Sequence, residues 1–134
     1  MYVETDVLVA LAKDDGWLQD AAVQALDEYE DDVQTSILAY AELLVVLYER
    51  DTEGYDVDVT RALTNLLELV PIVPGVHEDA VLAAAAFLEE EDLTPFDALH
   101  AGLAVAHDER VLSSERDYDA IGVDRVPLED VETY

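Results

Sequence analysis

Short apolar runs alternate with longer segments of helical period along the whole chain, and that alternation restricts the fold more than any single residue does. Tyr2 to Thr5 reads as a first strand running into the apolar segment Val7 to Leu11. Asp14-Asp15-Gly16 is a turn signal. From Trp17 to Tyr29, the residues Leu18, Ala22, Ala25, Leu26 and Tyr29 share one helical stripe. Val33 to Thr35 reads as a brief buried strand. Ile37 to Tyr48 is a strongly apolar helix capped by Thr35 or Ser36. A polar loop from Asp51 to Asp58 leads to a helix over Thr60 to Leu67. Leu69 to Val73 is strand-like, and its Pro71 suits a sheet edge. His77 to Glu90 is an alanine-rich helix. Thr94 caps the next helix, with Pro95 at its first position and Asp97 in its first turn, and this helix runs to about His107. Val111 to Ser114 is a strand, Ser114 to Gly122 a polar connection, and Asp124 to Pro127 a last short strand. Strands and helices in this order predict one α/β domain over residues 1–134. Its architecture is expected to be three-layer α/β/α, with a central, mostly parallel sheet. In such sheets, ligands bind outside the carboxyl ends of the strands.

The chain carries 33 acidic against 6 basic side chains, a net charge of −27, yet 51% of its residues are hydrophobic. That apolar content excludes an acidic disordered tail, which could not offset its ordering entropy. The absence of cysteine excludes disulfides, a thiolate metal site and a cysteine nucleophile. MYVETDVLVAL lacks the basic start of a signal peptide. No uncharged stretch approaches the ~20 residues of a membrane-spanning helix, so a cytoplasmic, membrane-free protein is expected. The acids are spread along the whole chain. In ordinary buffer such a surface repels itself and any nucleic acid. In molar salt the Debye length falls to roughly 3 Å and the repulsion largely disappears. The composition therefore suggests a salt-rich cytoplasm, similar to that of halophilic archaea, and leaves RNA open as a substrate. A dedicated acidic partner for a basic protein is the rival reading.

Most of these acids form a solvated surface, so the informative ones sit where the local pattern disfavours charge. Glu42 is the only charged residue between Ile37 and Tyr48. A buried carboxylate needs a partner or a cation, and few basic residues are available to pair with it. Asp97 lies in a helix first turn, which acids favour in any case by about 0.3–1 kcal/mol. Glu4 and Asp6 lie in and just beyond the first strand, and in extended chain they would share a face. Parallel strands are ordinarily apolar. Glu115 and Asp117 follow the strand Val111 to Ser114. Strand ends and helix starts converge on one rim of a parallel sheet. Carboxylates gathered there would repel one another unless a hard cation such as Mg²⁺ or Mn²⁺ neutralised them. Such an ion supports hydrolysis of a phosphodiester. His100 shares a helix face with Asp97 and could donate to a carboxylate or a phosphate, although a packed helix histidine is the more common case. Arg116 is placed to reach a phosphate. Ala98, Ala101, Gly102 and Ala104 read as close helix packing.

These segments resemble the PIN-domain ribonucleases, in particular the VapC-type toxins of toxin–antitoxin pairs, over essentially the whole chain. VETDVLVAL is similar to the family's opening strand, AYAELL to its second motif and TPFDALHAGLA to its third. LSSERDYDAI is similar to its final segment. On this resemblance Glu42 and Asp97 fall on the family's glutamate and aspartate. The first aspartate of the family falls on Glu4, with Asp6 at the following Asn or Ser position. Glu115 stands where the family usually has Asp. Both departures keep a carboxylate and lengthen its arm by one methylene. Asp117 could share the work of Glu115, and Ser113 could hold a water or orient a carboxylate.

The resemblance implies a Mg²⁺- or Mn²⁺-dependent endoribonuclease in which Glu4, Asp6, Glu42, Asp97, Glu115 and Asp117 hold the metal. Water would then be the nucleophile. It also implies a homodimer and a VapB-like antitoxin that covers the acidic site. The apolar surfaces of the Trp17 and Thr60 helices could serve such contacts, with core packing the commoner use. The alternative is a non-catalytic PIN-like binding module disabled by the two longer carboxylates. A receiver-like phosphoacceptor domain would also cluster acids at strand ends. It usually needs a late-strand lysine, whereas Lys13 is the only lysine and lies early.

Overall fold

A computed structural model describes residues 1–12, 17–29, 32–52, 58–72 and 77–131. The expected turn at residues 14–16 lies outside them, as do Lys13, Val73 and most of the loop expected over residues 51–58. Three short strands form a parallel sheet in the order β1 (Tyr2–Val3), β2 (Val111–Ser113), β3 (Arg125–Pro127). Around them lie α1 (Thr5–Ala12), α2 (Trp17–Glu28), α3 (Ile37–Thr52), α4 (Val59–Leu69), α5 (His77–Glu90), α6 (Pro95–Ala106) and the single-turn α7 (Asp117–Ala120). The α/β expectation holds, with the helices outweighing the sheet.

Alternation along the strands covers both faces of that sheet. Tyr2 and Val111 point into one apolar cluster with Ala80, Ala101, Leu103 and Tyr118. Their neighbours Val3 and Leu112 point into the other, with Val7, Leu8, Ala22, Leu43 and Leu66. One helical layer is built on α5 and α6, and the other on α1 to α4. Among the described residues, no helix is long and apolar enough to cross a membrane.

Three expected elements differ. The first strand stops at Val3, and Thr5 already belongs to α1. Val3 N donates to Gln34 O and Glu4 N to Leu112 O, but Glu4 O accepts Val7 N at 3.1 Å and starts a helical turn. Val7 to Leu11 is therefore helix. Among the described residues, Val33 to Thr35 and Leu69 to Ile72 contribute only the parallel bridges Tyr2↔Gln34 and Thr35↔Ile72, because α4 runs through Leu69. Those bridges place Ile72 at the outer edge, where Pro71 gives its carbonyl to Thr35 N at 3.0 Å and its missing N–H costs nothing. The connection from Ser114 to Gly122 contains α7, whose Tyr118 is fully buried.

Ser36, not Thr35, caps α3. Ala39 N donates to Ser36 Oγ at 3.4 Å, while Thr35 Oγ1 donates to Val3 O at 2.6 Å. Thr94 caps α6 through Asp97 N, with Pro95 at the first helical position. The small-residue face of α6 packs against α5 as expected. A Cβ on Gly102 would lie 2.3 Å from Ala80 O and 3.0 Å from Ala84 N, so only glycine permits this approach.

Candidate metal centre

The sheet delivers its carboxyl ends to one rim. Glu4 leaves β1 there, Asp6 follows in the first turn of α1, and Ser113 ends β2. Glu42 reaches the same rim from α3 and Asp97 from the first turn of α6. Glu115 comes from the segment after β2 and Asp117 opens α7.

Glu4 and Asp6 converge even though the chain between them is not extended. Ser113 Oγ lies 3.1 Å from Glu4 Oε2 and 3.2 Å from Asp6 Oδ2, one hydroxyl proton shared between two carboxylates. Ser114 N donates to the same Asp6 oxygen at 2.6 Å, and Ser114 Oγ donates to it as well. Glu115 N donates to Ser113 Oγ at 2.9 Å, and Asp117 N to Glu115 Oε1 at 3.1 Å. The Ser-Ser-Glu run thus acts through Ser113, which orients the carboxylates on either side of it.

Two groups of ligand atoms close enough to share an ion emerge among the described residues. One joins Glu4, Glu42 and His100, and the other Asp97, Glu115 and Asp117. Glu42 and Asp97 fall in different groups. Glu4 links them, because it feels the charges of both Asp6 and Asp97.

His100, which the sequence offered as a donor to a carboxylate without saying which one, is the partner of Glu42. It is fully buried in α6. Its Nε2 pairs with Glu42 Oε1, lies 3.2 Å from Thr5 Oγ1 and stands 3.6 Å from Glu4 Oε1. Its Nδ1 is 2.6 Å from Tyr2 Oη, which in turn is 2.8 Å from Ser36 Oγ. Thr5 Oγ1 donates to Glu42 Oε1 at 3.1 Å. The only signal in the sequence was the position of His100 one turn after Asp97.

Electrostatics separates the two glutamates. Burial, followed by the neighbouring Asp6 charge, pushes Glu4 up to about 8, and the Ser113 hydroxyl only partly offsets this. Burial also raises Glu42, but the His100 hydrogen bond and charge, with help from Thr5, hold it below the usual carboxylate range. Tyr118 is pushed well above the ordinary tyrosine value by burial and then by Glu4, Asp97, Tyr2 and Asp6. Its hydroxyl and Asp6 Oδ1 are buried without a hydrogen-bond partner.

The orphaned Asp6 oxygen, beside the buried Glu4 carboxyl, fits a bound cation. The donor set is mostly carboxylate oxygen, as a hard divalent ion requires. Arg116, by contrast, is mostly exposed and lies 3.4 Å from Glu129. Arg125, from β3, holds the rim from behind: it donates to Ser113 O at 2.9 Å and pairs with Asp119 and Glu129. Beside Glu42, a hollow of about 300 Å³ opens, walled by Leu38, Ala41, Val45, Val46 and Phe96.

Residues 1–124 match the model of the PIN domain, and the chain belongs to that family. A search of curated proteins by sequence finds no match. Several solved structures share the fold. A toxin–antitoxin complex from Klebsiella pneumoniae superposes with a TM-score of 0.72 at 19% identity, covering 95% of this chain and 96% of that one. VapBC2 from Rickettsia felis, bound to a DNA fragment from its promoter, gives 0.73 at 14% identity over 94% and 96%. VapBC-1 from nontypeable Haemophilus influenzae gives 0.70 at 14% identity over 96% and 98%.

Proposed function

We propose that this PIN domain is a Mg²⁺- or Mn²⁺-dependent endoribonuclease and the toxin half of a VapBC-like pair. Two observations support a centre built from Glu4, Asp6, Glu42, Asp97, Glu115 and Asp117: two groups of ligand atoms, Glu4, Glu42 and His100 in one and Asp97, Glu115 and Asp117 in the other, and the Ser113 hydroxyl that joins Glu4 to Asp6. Among them, Asp6 Oδ1 is buried without a hydrogen-bond partner.

When bound, a divalent ion supplies an activated water and polarises the phosphoryl oxygen. The protein's own part is to hold the carboxylates in place. Ser113 and Ser114 fix Asp6 by three donors, which leaves Oδ1 free to ligate. Thr5 and His100 orient Glu42. The Glu115 carboxylate accepts Asp117 N, so both acids stay against Asp97. Glu4, buried and held by the Ser113 hydroxyl, would offer a carboxylate oxygen to the cation. With few basic residues, RNA would be held largely through cation–phosphate contacts. Exposed Ile37, Leu44 and Val45 on α3, and Val81 and Leu82 on α5, offer apolar faces for a second copy and a VapB-like antitoxin. Of the two helices expected to serve such contacts, α4 also exposes Leu67 and Leu69, whereas Ala21, Ala22, Ala25 and Leu26 of α2 are buried. A single domain working in a salt-rich cytoplasm completes the reading.

The test is cleavage of a mixed RNA pool in molar KCl, with and without Mn²⁺, with Asp97→Asn as control. Metal-dependent cleavage that disappears in the variant is expected. Its absence from the native protein favours a non-catalytic module, for which the longer arms of Glu4 and Glu115 are the structural motive.

A further inference from the structure

We infer that His100 is a nitrogen ligand of the cation, so that the centre favours first-row transition ions over Mg²⁺. The inference rests on the proposed cation at this rim and concerns which atoms hold it. His100 Nε2 and one oxygen each of Glu4 and Glu42 lie within 4.8 Å of one another, and the 3.6 Å from Nε2 to Glu4 Oε1 is near the spacing of adjacent ligands on one ion. Glu42 has 28% of its side chain exposed and therefore has room to open its contact with His100 around a cation.

The far side of the ring is already arranged for ligation. A metal-bound imidazole carries its proton on the nitrogen away from the ion and gives it to a fixed acceptor. Here Nδ1 meets Tyr2 Oη at 2.6 Å, and Tyr2 Oη has Ser36 Oγ at 2.8 Å to receive its own proton. With Nδ1 protonated, Nε2 keeps a lone pair, and a cation would take the place of the proton that Nε2 now shares with Glu42 Oε1. The Tyr118 hydroxyl is fully buried without a hydrogen-bond partner and feels the charges of Glu4, Asp97 and Asp6. Mg²⁺ binds through oxygen and water, whereas imidazole suits iron, nickel, copper and zinc.

The full chain, stripped of metal and kept in molar KCl, would be loaded with one equivalent of Mn²⁺. Electron spin echo spectroscopy would then be recorded on protein with ¹⁴N- and ¹⁵N-histidine. The expected result is nitrogen modulation that changes with the isotope and disappears in His100→Gln. Competition should show Zn²⁺ binding at least about tenfold tighter than Mg²⁺. Tyr2→Phe, which removes only the acceptor behind Nδ1, should weaken Mn²⁺ by about 10–100-fold and keeps the test open if His100→Gln does not fold. Bound Mn²⁺ without nitrogen modulation, or modulation that persists in His100→Gln, overturns the inference and spares the cation site. No stoichiometric Mn²⁺ binding by the native chain overturns both.

Discussion

Replacing Glu4 by glutamine isolates the charge that the metal-free rim tolerates least. The carboxyl titrates at 4.5 in the open chain and is pushed up to about 8 in the fold by burial and by Asp6. At about 1.4 kcal/mol per pH unit, that rise corresponds to roughly 5 kcal/mol. Relaxation around the charge lowers the observable part to about 2–4 kcal/mol. The sign follows from the raised value. Below about pH 4.5 folded and unfolded chains both hold the proton, and the contribution of Glu4 is fully present. As pH climbs toward 8 the unfolded chain has released the proton while the folded protein retains it, and that stability is lost. Glutamine carries no charge and shows no such loss. Urea unfolding in molar KCl with a chelator, from pH 5 to 8.5, should therefore give a variant that gains about 2–4 kcal/mol on the native protein across this range. Molar salt screens the many surface acids and leaves the buried one exposed to view. Parallel stability curves for the two proteins would refute the burial and repulsion argument.

Two further outcomes test the packing around the rim. Gly102→Ala drives a methyl into the backbone of α5, so it should cost about 1–3 kcal/mol despite the roughly 1 kcal/mol that alanine gains in a helix. A urea midpoint equal to that of the native protein would show that α5 and α6 are further apart than described. Tyr118→Phe removes a buried hydroxyl without a partner, so the metal-free protein should gain about 1 kcal/mol. A comparable loss in the same assay would mean that the hydroxyl is bonded.

How much of this was legible in the sequence depends on the range of the interaction concerned. The alternation of strands and helices, the cap and proline that start α6, and the small-residue face around Gly102 are local signals, and the chain carried them. Asp97 was found because helix starts have a local signature, and Glu42 because a lone charge stands out in an apolar helix. The end of β1 was misplaced by two residues. Whether Glu4 continues a ladder or starts a turn depends on Leu112 and Gln34, far away in sequence, which take the last sheet bonds. The strands expected around Gln34 and Ile72 are single bridges, because α4 extends through Leu69 and takes up chain that the sequence assigned to a strand.

The residue types and their order along the chain determined an acidic α/β domain with carboxylates at strand ends and helix starts, because periodicity and capping act over a few residues. Only the tertiary structure decided which of those carboxylates meet. It set Glu42 against His100 instead of an arginine, made Ser113 the bridge from Glu4 to Asp6, and left the Tyr118 hydroxyl without a partner. Each of these joins side chains separated by dozens of positions, and their energies depend on burial and on charges a few ångströms away. Those quantities come into being only when the sheet has brought its strand ends together.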